Sequence, residues 1–561
     1  MDPTVALTGM LPAILILSAA LTAPLTWFIL RSYRSAVMRS MLSTSKSAST
    51  AVGAAAAFDP VPAAGPAPSF VELDAFTAPL PSTRSFQSAR RSQWCTASVY
   101  AAGGMAYALV HAATWMLVSG GDWIPVRFLW LFAVHCFPAF LAAGLVAFIQ
   151  RKKRVLLAGV YFAALVAVAG IALLRNPGLT GASLLFFFLN ANAPGAVLLF
   201  AFLRRPVRAV GPLVLAFVLM GVAGALIAVQ IAGSSEAFLR ALVWAGALFG
   251  LGSNALFLLL HLAGFAAFAI LGWHFLGWLG HRYERKRTSE QSLTVDSVAM
   301  LFAVVHSVGY VFDGWLYVLA APASFLAFKI VTRLGFRWIG ALPGAGLALL
   351  LLRVFALGPR SEALFRAISL RWLHSGHIAL IAGPDLVTTT VEPHEFFAFL
   401  GRRLARQFVA GPADLGRRLS LLDTLPDPDG RYRTNEFFCH RDTWQMTMKR
   451  LASQSNAVLM DLRGFSPSYH GCRLELEHLV ASIPLDRVLF IVDRTTDLPF
   501  LRNSFLELCA IMPQNSPNRR SSPAQPRLFR LTEQSDREIE ILLQWLYAAA
   551  ETQTQQAAAV V

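Results

Sequence analysis

Apolar stretches long enough to cross a membrane recur along the first half of the chain, and they restrict its fold more than any other feature. A helix needs roughly 20 predominantly apolar residues to span the hydrocarbon core of a bilayer. The stretches are Leu11–Leu30, Ser98–Val118, Phe128–Gln150, Val155–Leu174, Ser183–Leu203, Val210–Ile231 and Asn254–Leu279. The sequence therefore predicts a first transmembrane helix over residues 1–30 and a polytopic α-helical membrane region over residues 98–335.

Basic residues follow alternate stretches, and this pattern predicts an orientation. The loops "RSYRSAVMR", "RKKR", "RRPVR" and "HRYERKR" follow the first, third, fifth and seventh stretches, whereas the loops between them are nearly uncharged. Because cytoplasmic loops carry the excess of Lys and Arg, the N-terminus is predicted outside the cell inner (plasma) membrane and the C-terminal domain in the cytoplasm. Residues 1–345 hold 24 Lys and Arg against 10 Asp and Glu. This excess of positive charge lies in the loops that are predicted to be cytoplasmic, so membrane topology accounts for it and no nucleic-acid partner is expected.

Three further segments complete the predicted organisation of this part of the chain. Residues 237–251 are interrupted at "GLGSN" and predict an interfacial or re-entrant helix. Residues 298–331 are broken at Asp313-Gly314 and predict two short crossings, which makes about nine in all. Residues 31–97 contain a long Ser/Ala/Pro-rich stretch with few bulky apolar side chains, so they predict a largely disordered cytoplasmic loop.

The apolar segment "GAGLALLLLRVFALGPRSE" (344–362) marks the change to a second kind of structure. As a further crossing it would carry the rest of the chain outside, despite the arginines around it. Because it is short and ends at a turn, it predicts a buried strand instead. The predicted strands, which alternate with amphipathic helices, are Leu349–Leu357, His377–Ile381, Ala457–Leu462, Arg487–Val492 and Arg527–Leu531. This pattern predicts a cytosolic α/β domain with a mainly parallel, flavodoxin-like sheet over residues 346–550, followed by a disordered tail over residues 551–561.

The stretch "SQSNAVLMDLRGFSPSYHGCRLELEHL" (453–479), followed by "RVLFIVD", resembles the middle of a TIR domain, the Toll and interleukin receptor homology domain. In that family a strand and a Ser-containing loop lead into a helix that opens with a Trp-Cys pair, and a glutamate follows three residues after the Cys. Cys472 and Glu475 keep this spacing, with Gly471 in place of the Trp. The separation of 120 residues between Phe355 and Glu475 exceeds that of the family.

The resemblance implies one of two roles for the domain. It either cleaves NAD, with Glu475 as a catalytic residue facing the nicotinamide ribose, or acts as a non-enzymatic signalling scaffold. A carboxylate beside an oxocarbenium-like centre stabilises the positive charge that develops there. The alternative for Glu475 is an exposed residue in the first turn of a helix, where it is favourable to the helix dipole. NAD is thus expected as a substrate, and no bound cofactor is identified.

Loops after the predicted strands supply the candidate ligand-binding residues, because ligands of parallel sheets bind beyond the carboxyl ends of the strands. Arg463 and Ser466 precede a helix N-terminus, a position suited to a phosphate or carboxylate. Ser466-Pro467 can equally form a turn. Asp385 and His394 lie in "GPDLVTTTVEPHE", which lacks the repeated glycines of a phosphate-binding loop.

No metal site is predicted from the sequence. The five cysteines form no CxxC pair and no cluster with histidine at metal-ligand spacing. Polar residues at membrane depth are functional candidates in general, although they can also satisfy one another between helices. Those in or near the predicted crossings are Asn190, Asn192, Gln230, Asn254, His261, His274, His306 and Asp313. The pair His261 and His274 suggests haem ligation, but no second helix supplies a comparable pair.

These features favour a membrane-anchored signalling or sensing protein whose TIR-like cytosolic domain binds or cleaves NAD or another nucleotide. The first alternative is a transporter or channel with a regulatory cytosolic domain, and the second is a non-catalytic membrane scaffold. The expected partners are the lipid bilayer and a second copy of the chain, joined through the cytosolic domain.

Overall fold

In the computed structural model the chain divides into two compact units. The helical unit holds the described residues among 3–33 and 96–339 together with residue 396, and the sheet unit holds those among 34–95, 346–382 and 399–560. The structure describes residues 3–42, 69–74, 81, 83–120, 123–147, 151–202, 211–309, 315–339, 346–353, 359–382, 396, 399–401, 407–520 and 525–560.

Long apolar helices build the helical unit, and their bounds are α1 (Pro3–Leu42), α2 (Arg84–Val118), α3 (Pro125–His135), α4 (Phe137–Ala147), α5 (Arg151–Arg175), α6 (Gly181–Phe202), α7 (Gly211–Ser234), α8 (Glu236–Leu248), α9 (Ser253–Glu284), α10 (Glu290–Val308) and α11 (Ala320–Ile339). A short 3-10 helix, Trp315–Leu319, precedes α11. Six helical segments are long and apolar enough to cross a membrane: Arg84–Val118, Pro125–Gly144, Arg154–Arg175, Gly181–Leu199, Leu213–Gly233 and Ser253–Glu284. The described residues therefore support a membrane protein.

The predicted count of about nine crossings is not reproduced, since six segments qualify within the described part of the chain. Helix α8 is a separate helix of 13 residues, too short to span a bilayer. Helices α10 and α11 occupy the region where two short crossings were predicted, but they carry Asp296, Lys329 and Arg333, which lower their apolar character. Asp313 lies outside the described residues.

Parallel strands form the sheet unit, with the bounds β1 (Val71–Asp74), β2 (Leu347–Arg353), β3 (Gly376–Ile381), β4 (Phe408–Val409), β5 (Thr434–Cys439), β6 (Ala457–Asp461), β7 (Val488–Val492) and β8 (Arg527–Arg530). They lie in the order β1-β8-β7-β6-β2-β3-β5-β4, and every neighbouring pair is parallel. Strand β2 pairs with β3 on one side and with β6 on the other. It is therefore the point from which successive strands are added in opposite directions along the sheet.

Helices cover both faces of the sheet: α12 (Pro359–Trp372), α13 (Pro412–Ser420), α14 (Trp444–Gln454), α15 (His470–Ser482), α16 (Leu498–Ala510), α17 (Pro517–Arg520) and α18 (Asp536–Val560). Successive side chains of a strand point to opposite faces. Leu349 and Leu350 of β2 are both fully buried, each in a different hydrophobic core. A strand buried on both faces is apolar throughout, which explains why the segment at 344–362 resembles a membrane crossing in composition.

Part of the loop predicted over residues 31–97 is ordered, which corrects that prediction. Helix α1 continues to Leu42, α2 begins at Arg84, and β1 extends the sheet by pairing with β8. Leu73 of β1 is buried in one core of the sheet unit, so even four residues gain enough apolar contact to be held at the sheet edge. Residues 43–68, which hold most of the Ser/Ala/Pro-rich stretch, lie outside the described residues.

The C-terminal residues also differ from expectation. Helix α18 continues to Val560, where a disordered tail was predicted from residue 551. The tail is rich in Ala and Gln, which have high helix propensity, so the helix extends beyond its buried part. Helix α18 begins with a capping box in which Glu538 Oε2 accepts a hydrogen bond from the Ser535 amide at 2.8 Å.

A buried histidine makes the stability of the sheet unit depend on pH. His374 is 3% exposed, and its Nδ1 atom lies 3.4 Å from Ser92 Oγ. Burial, reinforced by the positive charge of Arg431, lowers the pKa of His374 to about 3. Since the unfolded chain binds this proton near pH 6.5, the contribution is complete above that pH and is lost as the pH falls toward 3.

We expect the sheet unit to lose about 2 kcal/mol of stability between pH 7.5 and pH 5.0 through this residue. Pulse proteolysis of the full chain in a urea series, with fragments of the sheet unit counted by mass spectrometry, measures the loss. His374→Gln should flatten the pH dependence, whereas the same change at the exposed His281 should leave it intact. An equal pH dependence in His374→Gln and wild type would contradict the assignment.

Candidate functional site

Three histidines from separate helices meet in the interior of the helical unit. His111 lies in α2, His135 is the last residue of α3, and His306 lies in α10. Their exposed fractions are 0%, 1% and 4%. One ring nitrogen of each lies within 4.8 Å of the others. We refer to these three residues as the histidine cluster.

A break between α3 and α4 sets the position of His135. Pro138 has no amide hydrogen, so the carbonyl of Val134 lacks the donor that a continuous helix would supply. That carbonyl instead accepts a hydrogen bond from Asn192 Nδ2 of α6 at 3.2 Å, and it also lies close to the amide of Cys136. The helix ends at His135, and the side chain of Asn192 ties the break to α6.

Small residues bring the helices of the cluster into close contact. A Cβ atom on Gly104 of α2 would lie 2.3 Å from Cβ of Ala139 in α4, so a larger side chain cannot fit there. Similarly, a Cβ atom on Gly195 of α6 would lie 2.7 Å from the ring of Phe302 in α10. Small-residue contacts of this kind allow membrane helices to approach closely. Ala139 follows His135 by four residues, across the break between α3 and α4, and Phe302 lies one helical turn before His306.

Hydrogen bonds at the Nδ1 atoms hold two rings of the cluster in place. His135 Nδ1 lies 2.7 Å from the carbonyl oxygen of Leu131. A carbonyl only accepts, so Nδ1 carries the proton and Nε2 keeps its lone pair. His306 Nδ1 lies 2.7 Å from the hydroxyl of Tyr107. His306 Nε2 is buried and has no hydrogen-bond partner within the described part of the chain.

The ring positions suit a shared ion. The centroid of the His306 ring lies 5.2 Å from that of His111 and 4.6 Å from that of His135, and the latter two centroids are 5.4 Å apart. Nitrogen ligands at about 2.0 Å from one tetrahedral zinc ion are about 3.3 Å apart. Side-chain rotations that shorten the longest separation by roughly 1.5 Å therefore complete such a site.

Only one member of this cluster, His306, is among the polar residues that the sequence predicts near membrane depth. His111 and His135 are not among them, and the sequence predicts no metal site. The three positions show no short spacing, because each comes from a different helix. The available signal was a histidine within each of two apolar stretches, where a polar residue is a functional candidate. His274 is exposed, His261 lies against the Phe257 carbonyl of its own helix, and neither belongs to the cluster.

The predicted ligand residue Arg463 lies in the core of the sheet unit. It is 1% exposed, and its Nε and Nη2 atoms donate to both carboxylate oxygens of Asp461 at 2.7 and 2.6 Å. Its Nη2 atom also donates to the Arg360 carbonyl at 3.3 Å. The guanidinium thus holds the loop after β6 against α12, and in this arrangement it does not face a ligand. Ser466 lies on the same loop, and its hydroxyl bonds that of Ser468 at 2.9 Å.

A second ion pair lies at the same edge of the sheet. Asp493 follows β7, pairs with Arg360, and accepts hydrogen bonds from the amide and hydroxyl of Thr495. Burial opposes its ionisation, but these hydrogen bonds and Arg360 hold the pKa of Asp493 below its usual range. Arg463 after β6 is therefore neutralised by Asp461, and Asp493 after β7 is neutralised by Arg360 of α12. Asp385 and His394 lie outside the described residues.

Glu475 is 2% exposed and lies on the buried side of α15. Cys472, Leu476 and Leu479 share that side, and all three belong to a hydrophobic core of the sheet unit. The alternative of an exposed first-turn residue is therefore wrong. The carboxylate lies on the core-facing stripe, so the geometry gives no support to its role as a catalytic residue.

Comparison with known proteins gives no match to the chain, whether with family models, curated proteins or solved structures.

The packing at Gly104 generates a test of the site. Gly104→Ala should force α2 away from α4, because the added methyl would meet Ala139; overpacking of this kind costs about 1–3 kcal/mol. We expect a lower unfolding temperature in detergent for Gly104→Ala than for the wild type. Gly159→Ala is the matched control, since its Cβ atom meets nothing within 4 Å. Equal behaviour of the two variants would contradict this account of the packing.

Proposed function

We propose that the chain is a membrane protein that binds a transition-metal ion within its helical unit, with His111, His135 and His306 as ligands. The observation that carries the proposal is the approach of three buried imidazole nitrogens to within 4.8 Å of one another. Burying a polar group without a hydrogen bond or a metal is unfavourable. Coordination would satisfy His306 Nε2, which the described residues leave unsatisfied.

The chemistry of the donor atoms limits which metal ions the site can bind. Imidazole suits zinc, copper, iron and nickel, whereas calcium and magnesium prefer oxygen ligands. The cluster offers three imidazoles, and no carboxylate joins it among the described residues. Hydrogen bonds from the outer nitrogen of a ligating histidine to a carbonyl or hydroxyl fix its orientation. The contacts of His135 with Leu131 and of His306 with Tyr107 supply this support.

Metal sensing is the role that we favour for the site. We propose about nine crossings with the N-terminus outside, a cytoplasmic sheet unit that reports the metal-bound state, and association of two copies through that unit. The strand order β3-β2-β6-β7-β8 supports a flavodoxin-like or TIR-like fold for the sheet unit. Transport of the ion is the alternative. Enclosure of all three ligands favours sensing, because a carrier must open its site to water on each side.

Cleavage of NAD by the sheet unit remains a separate proposal that rests on the resemblance to TIR domains. It requires the carboxylate of Glu475 to reach a ligand, and that side chain is 2% exposed. The full chain would support this proposal if it released nicotinamide from NAD and if Glu475→Gln abolished that release. The metal proposal does not depend on the outcome.

The proposal predicts one metal ion per chain. The purified full chain in detergent, equilibrated with zinc, copper, nickel or cobalt and then dialysed, is analysed for metal by mass spectrometry. Substituting any one of the three histidines by alanine should lower the affinity by at least a hundredfold, because each supplies a direct ligand. His261→Ala and His274→Ala are the controls, since both histidines lie outside the cluster. The proposal would be contradicted if all three cluster variants bound metal with the stoichiometry and affinity of the wild type.

A further inference from the structure

We infer that a metal ion held by the histidine cluster takes its fourth ligand from outside the chain, and that this ligand is a small anion. The inference rests on the proposed function. It adds the class of molecule that the centre binds, beyond the ion itself.

The number of protein ligands leaves one position open. Zinc sites that serve only structure are closed by four protein ligands, whereas sites with three protein ligands keep a fourth position for water or another small molecule. Among the described residues, the cluster consists of His111, His135 and His306 alone. The hydroxyl of Tyr107 lies near, but it already bonds His306 Nδ1 on the outer side of that ring.

The charge of the loaded site determines the nature of the fourth ligand. Three neutral imidazoles would leave the charge of a divalent ion uncompensated. An isolated charge in an apolar interior is costly, and a ligand of opposite charge lowers this cost. Buried apolar residues adjoin the histidines, including Ala108 and Ala112 of α2 and Val134 of α3.

Asp296, the carboxylate nearest to His306 along α10, is too far away to compensate the ion. Asp296 precedes His306 by ten residues, which corresponds to about 15 Å along α10. Its Oδ2 atom accepts a hydrogen bond from Lys329 at 2.6 Å, so its charge is already paired. An anion bound directly to the metal is therefore the counter-charge that the geometry leaves open.

The surrounding rings restrict the size of this anion. The ring of Tyr107 lies 4.7 Å from that of His111, and the ring of Phe302 lies 5.6 Å from that of His306, measured between centroids. Rings at these separations are in contact with each other, so they exclude a large ligand. Azide, thiocyanate and halides are suitable probes, because they are small and bind metal ions through one atom.

The test uses cobalt as a spectroscopic substitute in the full chain in detergent, with perchlorate as the only other anion. Azide is titrated into the cobalt-loaded protein while the visible absorption is recorded. We expect a saturable spectral change with one azide bound per cobalt ion, and competition from thiocyanate. His261→Ala should behave as wild type.

Two further variants test whether the chain supplies the fourth ligand itself. Cys136→Ser removes the thiol next to His135, and Asp313→Asn removes a carboxylate that lies outside the described residues. We expect both variants to keep the cobalt spectrum and the response to azide. A spectrum that azide leaves unchanged, or that either variant alters, would overturn the inference while leaving the proposed function in place. Failure of the wild type to bind cobalt, zinc, copper or nickel would instead remove the proposed function.

Discussion

Burial of three imidazole rings in one volume is the constraint on which the interior of the helical unit depends. Each ring has a polar nitrogen that must be satisfied or left at a cost. The Leu131 carbonyl and the Tyr107 hydroxyl bond the Nδ1 atoms of His135 and His306, so the Nε2 atom of each ring is the one left to bind an ion. An ion bound at this point would convert a group of unfavourably buried nitrogens into a source of stability, since a ligand that binds only the folded state stabilises it.

Close helix packing keeps the rings together when no ion is bound. Gly104 and Gly195 allow backbones and rings to approach at distances that any side chain would prevent. Pro138, three residues after His135, ends α3 at the cluster. The Val134 carbonyl then accepts a hydrogen bond from the side chain of Asn192. The same features that weaken regular helices, namely glycine, proline and buried polar groups, thus meet around one site. Such local departures from ideal structure are expected at functional positions.

The sheet unit is organised on a different principle. Its central strand is buried on both faces. Arg463 after β6 pairs with Asp461 of that strand, and Asp493 after β7 pairs with Arg360 of α12. Removing one member of the buried pair Asp461–Arg463 would leave an uncompensated charge, which is strongly destabilising. These ion pairs fix the loops at the carboxyl edge of the sheet, so they account for Arg463 without a ligand.

Much of the architecture follows from the sequence, because periodicity and length report burial directly. The apolar segment at β2 and the strands β3, β6, β7 and β8 lie close to their predicted positions. The strands β4 and β5 were missed because β4 has two residues and β5 begins with the polar Thr434, Asn435 and Glu436. The histidine cluster could not be predicted, since it depends on how α2, α3 and α10 pack. Glu475 is the opposite case. Its spacing from Cys472 suggested a catalytic site, but its side chain faces the core.

X-ray absorption at the metal edge of the zinc-loaded full chain tests the central claim most directly. The account predicts about three imidazole nitrogens at roughly 2.0 Å and one further oxygen, nitrogen or halide ligand, with the imidazole signal reduced in His135→Ala. A shell dominated by sulfur, or an unchanged imidazole signal in His135→Ala, would contradict it.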